Sequence, residues 1–252
     1  MVSGNQKLKY ADGDEYDGEF REYLYHGKGV MVTNSGCFVY KCEFYHGAKH
    51  GIGTLSIDGA KPYTAVYFYD EEMVIGIKPG YADFEFVNLL DGEATIEYEN
   101  SEKYTGGWLD CKYHGKGKFT NIDGDEYIGQ YQKGHKQGIG YTSKKGSTDK
   151  ICSIWDHDKE KIHDIASNYE INTYLLVNSL CPIKYRNGDF YNGSWDNYLY
   201  NGYGELTNKY MVYKGSWVQG KRHGDATVTI TTNDPAMLKQ AIQELMESTS
   251  YN

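Results

Sequence analysis

A motif with a period in the low twenties constrains this chain more than any other feature, because a fixed period sets the size of the unit that must fold and then stack. Six segments share one frame. Tyr16-Asp-Gly18-Glu-Phe20 leads into His26-Gly27-Lys-Gly29, Tyr40-Lys-Cys42-Glu-Phe44 into His50-Gly51-Ile-Gly53, and Tyr104-Thr-Gly106-Gly-Trp108 into His114-Gly115-Lys-Gly117. Tyr127-Ile-Gly129-Gln-Tyr131 leads to Gly138-Ile-Gly140, Tyr191-Asn-Gly193-Ser-Trp195 to Asn201-Gly202-Tyr-Gly204, and Tyr213-Lys-Gly215-Ser-Trp217 to His223-Gly224-Asp-Ala226. The tyrosines step by 24 residues from 16 to 40, by 23 from 104 to 127 and by 22 from 191 to 213.

Tyr-x-Gly-x-aromatic alternates with the period of a strand, so both rings stand on one face with a glycine between them. The second half keeps the same parity, Gly27 and Gly29 running on to Met31, and Gly115 and Gly117 to Phe119. Two such strands and a turn make a hairpin that cannot bury its aromatic face alone and must stack on its neighbours. Composition agrees: the chain holds 30 Gly and 26 Tyr against 4 Pro and 8 Phe. Glycine costs about 0.8–1.0 kcal/mol in a helix interior and tyrosine favours strands. Asp12-Gly13-Asp14, Asp123-Gly124-Asp125 and Asn187-Gly188-Asp189 are turns that step the chain from one hairpin to the next.

This pattern resembles the MORN repeat, which reads Y-x-G-x-W-x-x-G-x-x-x-G-x-G with a D-G-D linker. Clear units lie near 16–38, 40–60, 104–126, 127–146, 191–210 and 213–232, while 63–103 and 151–186 read as degenerate repeats. Those stretches fit through Tyr63-x-Ala65-x-Tyr67, Tyr81 with Gly92, and Ile151-x-Ser153-x-Trp155; an insertion or distorted hairpin is expected from Asn168 to Pro182, with Tyr174–Val177 a strand or a short helix. Tyr23 and Tyr198 stand where a turn glycine is expected, Cys42 replaces a strand glycine and Ala226 the last glycine. The expected fold is all-β: a single-domain solenoid of stacked antiparallel hairpins over 1–233, with a C-terminal amphipathic helix and tail over 234–252. The resemblance implies protein binding, often self-association, and in some members attachment to membranes or cytoskeletal structures or service as the targeting part of an enzyme.

Asp234 as N-cap and Pro235 at the first helical position start that helix, whose apolar stripe includes Met237, Leu238, Ala241, Ile242, Leu245 and Met246. Leu238, Ile242 and Leu245 are expected to cap the last repeat by packing on the strand bearing Val228 and Ile230.

No catalytic site, cofactor or metal site is expected. His26, His50, His114 and His223 recur at one frame position, but Gln137 and Asn201 occupy it too, and these are poor ligands beside imidazole. Counted as a calcium loop from Asp123, the fifth and twelfth positions fall on Tyr127 and Gly134. G-x-x-x-x-G-K-[ST], G-x-S-x-G and H-E-x-x-H do not occur. A net charge of −9 disfavours nucleic acid. Five cysteines without C-x-x-C, and no apolar leader, fit a cytoplasmic protein, with membrane or cytoskeletal association compatible. Residues 1–100 hold 8 Lys and Arg against 17 Asp and Glu, among them Asp70, Glu71, Glu72, Asp83, Glu85, Asp91, Glu93, Glu97 and Glu99, which offer an acidic face to a basic partner. Lys133, Lys136, Lys144 and Lys145 are the candidate contacts for weak binding of anionic lipid. The function that emerges is a non-enzymatic interaction scaffold for protein partners, self-association included.

Overall fold

The computed structural model describes residues 3–79, 85–166 and 171–249. Strands pair with their chain neighbours in three antiparallel sheets, β1 to β7, β8 to β14 and β15 to β19. The chain divides into two compact units, residues 1–135 with 144–146, and residues 136–143 with 147–252. The first unit holds β1 (Gly4–Lys9), β2 (Glu15–Arg21), β3 (Leu24–Thr33), β4 (Phe38–Tyr45), β5 (Ala48–Ile57), β6 (Tyr63–Phe68), β7 (Glu71–Ile77), a one-turn helix α1 (Phe86–Leu90), β8 (Asp91–Glu97), β9 (Lys103–Leu109), β10 (Lys112–Thr120) and β11 (Glu126–Gln132). The second holds nearly all of β12 (His135–Ser143), then β13 (Ile151–Asp156), β14 (Lys159–Ile165), the short helix α2 (Leu175–Asn178), β15 (Leu180–Lys184), β16 (Phe190–Asp196), β17 (Leu199–Thr207), β18 (Met211–Val218), β19 (Lys221–Ile230) and α3 (Pro235–Thr249). The all-β repeat fold is the one the sequence implies.

Each hairpin is built around its frame tyrosine. Tyr16, Tyr104, Tyr127, Tyr191 and Tyr213 are buried, and each hydroxyl donates to the carbonyl three residues on, Glu19, Gly107, Gln130, Ser194 and Ser216, at 2.9–3.2 Å. The ring lies across the facing strand, and only glycine leaves it room: a Cβ on Gly29 would stand 2.5 Å from the Tyr16 hydroxyl. Tyr40 departs from the set. It is only half-buried and carries Lys49 Nζ 4.2 Å above its ring. Cys42 fills the space its hydroxyl needs, its side chain meeting the place of any Cβ on Gly53.

A longer period overlies the short one. Tyr16, Tyr104 and Tyr191 recur at steps of 88 and 87 residues, and each stacks a second tyrosine, Tyr25, Tyr113 and Tyr200, at 4.1, 3.7 and 3.7 Å between ring centroids. Those outer tyrosines in turn share short hydroxyl contacts of 2.5–2.6 Å with Tyr10, Tyr98 and Tyr185. Nine residues past the frame tyrosine of the following hairpins the cation Lys49, Lys136 or Arg222 replaces the second tyrosine.

Hairpin turns are locked to what precedes them. The N–H groups of Gly47, Asp70, Gly134, Asp158 and Gly220 donate to the carbonyls of Tyr25, Lys49, Tyr113, Lys136 and Tyr200, one hairpin earlier. Cys111 and Tyr198 sit at the same turn position with φ of 57° and 66°, and their N–H groups bond instead to Leu89 and Leu176, the buried leucines of α1 and α2. Tyr23 and Tyr198 therefore take the left-handed conformation for which the frame asks glycine.

Two expectations are corrected. The residues 16–230 do not form one uninterrupted array: β7 and β14 each meet the next sheet through one isolated bridge, Ile77 to Tyr98 and Ile165 to Tyr185. Helices precede β8 and β15 because a Leu-Leu or Leu-Val pair supplies there the carbonyls that a preceding hairpin supplies elsewhere. Tyr81 and Asn168 lie outside the described residues. The C-terminal helix starts as expected, Asp234 Oδ1 accepting from Ala236 and Met237 N–H at 2.8 and 3.2 Å, but of the three expected cap residues Leu245 packs inward and Leu238 and Ile242 do not. Ala241 is fully buried, Leu245 packs on the second unit's core, the Glu244 carboxylate accepts from Asn208 Nδ2 at 3.0 Å, and the Glu244 backbone carbonyl accepts from the Arg222 guanidinium at 3.1 Å. Leu238 and Ile242 stay 39% and 47% exposed, and Val228 and Ile230 are equally open at 37%. The helix is thus seated on one edge of the expected stripe, Ala241 and Leu245, while Leu238 and Ile242 on its other edge stay outside.

Gly106, Gly193 and Gly215 test the tyrosine lock, since a Cβ there would meet Gly117 Cα, Gly204 Cα or Ala226 Cβ at 2.5–2.6 Å. Valine at any of the three is expected to cost about 1–3 kcal/mol in denaturant unfolding; unchanged midpoints would show that the strands can separate freely. Removing α3 after Asn233 should lower the melting temperature by a few degrees, as ~1 kcal/mol does in a domain of this size; an unchanged value would show that the helix contributes nothing to the cap.

Candidate functional site

Where β7 meets β8, the first unit opens a groove of about 570 Å³. Its floor is Trp108, Tyr113 and Cys111, one wall is Met73, Val74, Ile75 and Gly76 from β7, and the other is Tyr98, Glu99, Asn100 and Glu102. The groove exists because the sheets are joined there by one bridge instead of a full ladder. Lys78 N–H to the Glu97 carbonyl and Glu99 N–H to the Gly76 carbonyl are the two hydrogen bonds that make this bridge. The mouth is apolar, Ile75 being 59% exposed.

Its polar groups are arranged for contact. Tyr98 and Tyr113 hold each other's hydroxyls at 2.5 Å, and Trp108 Nε1 donates to the Ala94 carbonyl at 3.2 Å, which fixes the floor. Burial is the main cause that pushes the Tyr98 hydroxyl up to about 12, and Tyr113 higher still, with the Glu102 carboxylate adding to both. The Cys111 thiol rises to about 11, first through burial and then through Asp110. It is therefore a neutral, poorly nucleophilic thiol at pH 7. Glu99 pairs with Lys61 at 3.6 Å, whereas Glu102 is half-buried with no ion pair among the described residues; Lys112 is the groove's one cationic lining residue.

Three other acidic residues singled out by sequence make local contacts. Asp70 accepts from Lys49, Glu72 from Tyr63 and Tyr67, and Glu97 from Lys78. Asp83 lies outside the described residues. Lys144 is paired with Asp125 at 2.6 Å, Lys145 lies over Gly124, and Lys136 sits 4.7 Å above the Trp155 ring, where burial lowers its pKa. Lys133 is exposed on its turn. At the recurring histidine position the polar substitutes cap turns: Gln137 and Asn201 accept from the N–H groups of His157 and Gln219 at 3.3 and 3.4 Å. His26 packs instead on Tyr45 and His46, and His50 on Phe86 of α1. No cluster of three or more potential metal ligands occurs among the described residues.

The groove itself was absent from the sequence reading. Its signal was the spacing of Tyr98, Tyr104 and Tyr113, which repeats at Tyr10, Tyr16 and Tyr25 and at Tyr185, Tyr191 and Tyr200.

A family model for the MORN repeat matches residues 16–38, 40–60, 104–126, 191–208 and 213–225. Residues 127–146 fall outside those matches, although Tyr127 makes the same hydroxyl-to-carbonyl bond as its counterparts. No curated protein matches the chain.

Tyrosine burial makes a pH prediction. An unfolded tyrosine ionises near 10, whereas Tyr16 and Tyr98 hold their protons to about 12, chiefly through burial. The folded state thus binds the proton more tightly, so this contribution to stability is whole below pH 10 and is lost as pH rises through 12. Phenolate absorbance should rise together with the loss of β-sheet circular dichroism; full titration near pH 10 in the folded protein would show these rings to be solvated.

Proposed function

Because this chain is a MORN-repeat protein, we propose that it serves as a non-catalytic scaffold whose first unit binds a protein partner in the groove beside β7. The observation that carries this reading is an open, aromatic-floored groove with an apolar lip and an acidic edge, whose one thiol is held protonated by burial. Rigid rings on paired strands give contact area with little side-chain entropy left to lose. Burying Ile75, Met73 and the exposed edges of Tyr98 and Tyr113 would supply affinity of the hot-spot kind.

Anionic lipid is the weaker reading. Two of its four lysines are engaged by Asp125 and Trp155, which reduces the charge free to meet headgroups. Self-association belongs to the scaffold reading, through side-chain surfaces instead of strand addition. The outer strand β1 is wholly exposed but carries Lys7 and Lys9, both within reach of Glu15, and edge lysines discourage pairing with another chain.

A photo-crosslinking side chain at Ile75, compared with one at the exposed Leu180, tests the proposal in cells. A discrete protein adduct at Ile75 that survives raised salt and is lost on Met73→Glu is the expected result. Adducts equal at both positions would sink the groove as the contact surface. Salt-sensitive liposome recruitment lost on neutralising Lys133, Lys136, Lys144 and Lys145 would favour the lipid reading.

A further inference from the structure

The second unit contains the same junction as the first, and there the chain closes it with its own side chains. Ile165 bridges Tyr185 as Ile77 bridges Tyr98, and the two sites match residue by residue at steps of 88 and 87. The linings differ at several of these positions, among them Met73, Ile75, Gly76, Glu99 and Cys111, which correspond to Lys161, His163, Asp164, Arg186 and Tyr198, whereas Glu102 corresponds to another acid, Asp189. Tyr198 stands at the position of Cys111; its ring packs against the core and lies 5.3 Å from Lys161 Nζ, and Lys161 stands at the position of Met73. Arg186, at the position of Glu99, reaches across to Asp164 at 2.7 Å, where the first junction has only Gly76. Cys111 and Tyr198 have nearly the same left-handed backbone, φ 57° and 66°, and the same N–H bond to a helix leucine, so the seat is alike and only the side chains have changed.

The first junction thus lacks a ring, a cation above it and a basic clamp, and has in their place a thiol, a thioether and a carboxylate. We propose that the groove of the first unit takes from a protein partner an aromatic side chain lodged on Cys111 beside Trp108, together with an arginine or lysine that pairs with Glu102 and Glu99. The partner supplies in trans what Tyr198, Lys161 and Arg186 supply in cis. Charge complementarity favours this occupant: Glu102 is half-buried without a cation among the described residues, and Glu99 has only the 3.6 Å contact with Lys61. Lys112 on the rim disfavours a second cation on its side and so restricts the orientation. This inference rests on the scaffold reading and narrows it to a recognised chemistry.

Capped five-residue peptides carrying one Tyr and one Arg, adjacent or three residues apart, serve as probes, with binding to the full chain followed through the Trp108 indole N–H resonance. The expected result is saturable binding by at least one spacing, weakened roughly tenfold on replacing Tyr by Ala and roughly two- to fivefold on replacing Arg by Gln. Cys111→Tyr should close the seat and abolish binding, while Cys111→Ser leaves it. Should Cys111→Tyr fail to fold, Glu102→Gln should weaken the Arg peptide and leave its Gln counterpart unchanged. Binding that is insensitive to both Cys111→Tyr and Glu102→Gln overturns the inference, as does failure of both peptides. A partner captured at Ile75 that binds Cys111→Tyr with unchanged affinity would overturn it too and leave the scaffold reading standing; peptide binding without any captured partner would do the reverse.

Discussion

A tyrosine ring laid across a facing glycine, its hydroxyl tied to the carbonyl three residues further on, is the contact on which the rest of the structure depends. It explains two compositional oddities at once, since each buried ring requires a strand position with no side chain. Neutral hydrogen bonds of this kind contribute only about 0.5–1.5 kcal/mol each; the larger stabilisation comes from the buried aromatic area, some 150–250 Å² per ring. Tyr40 marks the limit of the device. With Cys42 in the glycine's place the ring is pushed outward, and a lysine covers it instead.

Stacking is directional because the turn donor always belongs to the later hairpin and the acceptor to the earlier one. At the two junctions no earlier hairpin fills that role, and α1 or α2 offers Leu89 or Leu176 as its replacement. The groove follows from this arrangement. A helix satisfies the turn but cannot continue the ladder, so a gap opens between β7 and the next sheet, and its contents depend on which side chains the junction carries.

Strand positions, the alternation of faces and the start of α3 were legible in the sequence because each has a local cause, a period of two or a capping residue. The junction helices were not legible: α1 and α2 span five and four residues, too few for a helical period to show. Their existence is dictated by orphan N–H groups at Cys111 and Tyr198, a tertiary demand that no local window contains. Which edge of the α3 stripe docks was not legible for a similar reason, since hydrophobic spacing cannot register that Asn208 holds the Glu244 carboxylate and Arg222 its backbone carbonyl. The spacing Tyr98, Tyr104 and Tyr113 was visible but was absorbed into the shorter repeat. Its meaning, an outer tyrosine stacked on an inner one, appears only when the rings are placed.

The cis-closed and open junctions also carry a lesson about how such a chain grows. A single hairpin copied into the middle of a sheet would present an outer position of the wrong kind, a tyrosine where a lysine or arginine belongs. Copying the block of 87 or 88 residues brings hairpins, helix and outer tyrosine together, and every seam it creates is one the fold already contains. The heritable module of this architecture is then the block, and each duplication delivers a spare junction. One copy fills its junction with Tyr198, Lys161 and Arg186, while the other, with Cys111, Met73 and Glu99 at those positions, leaves it open.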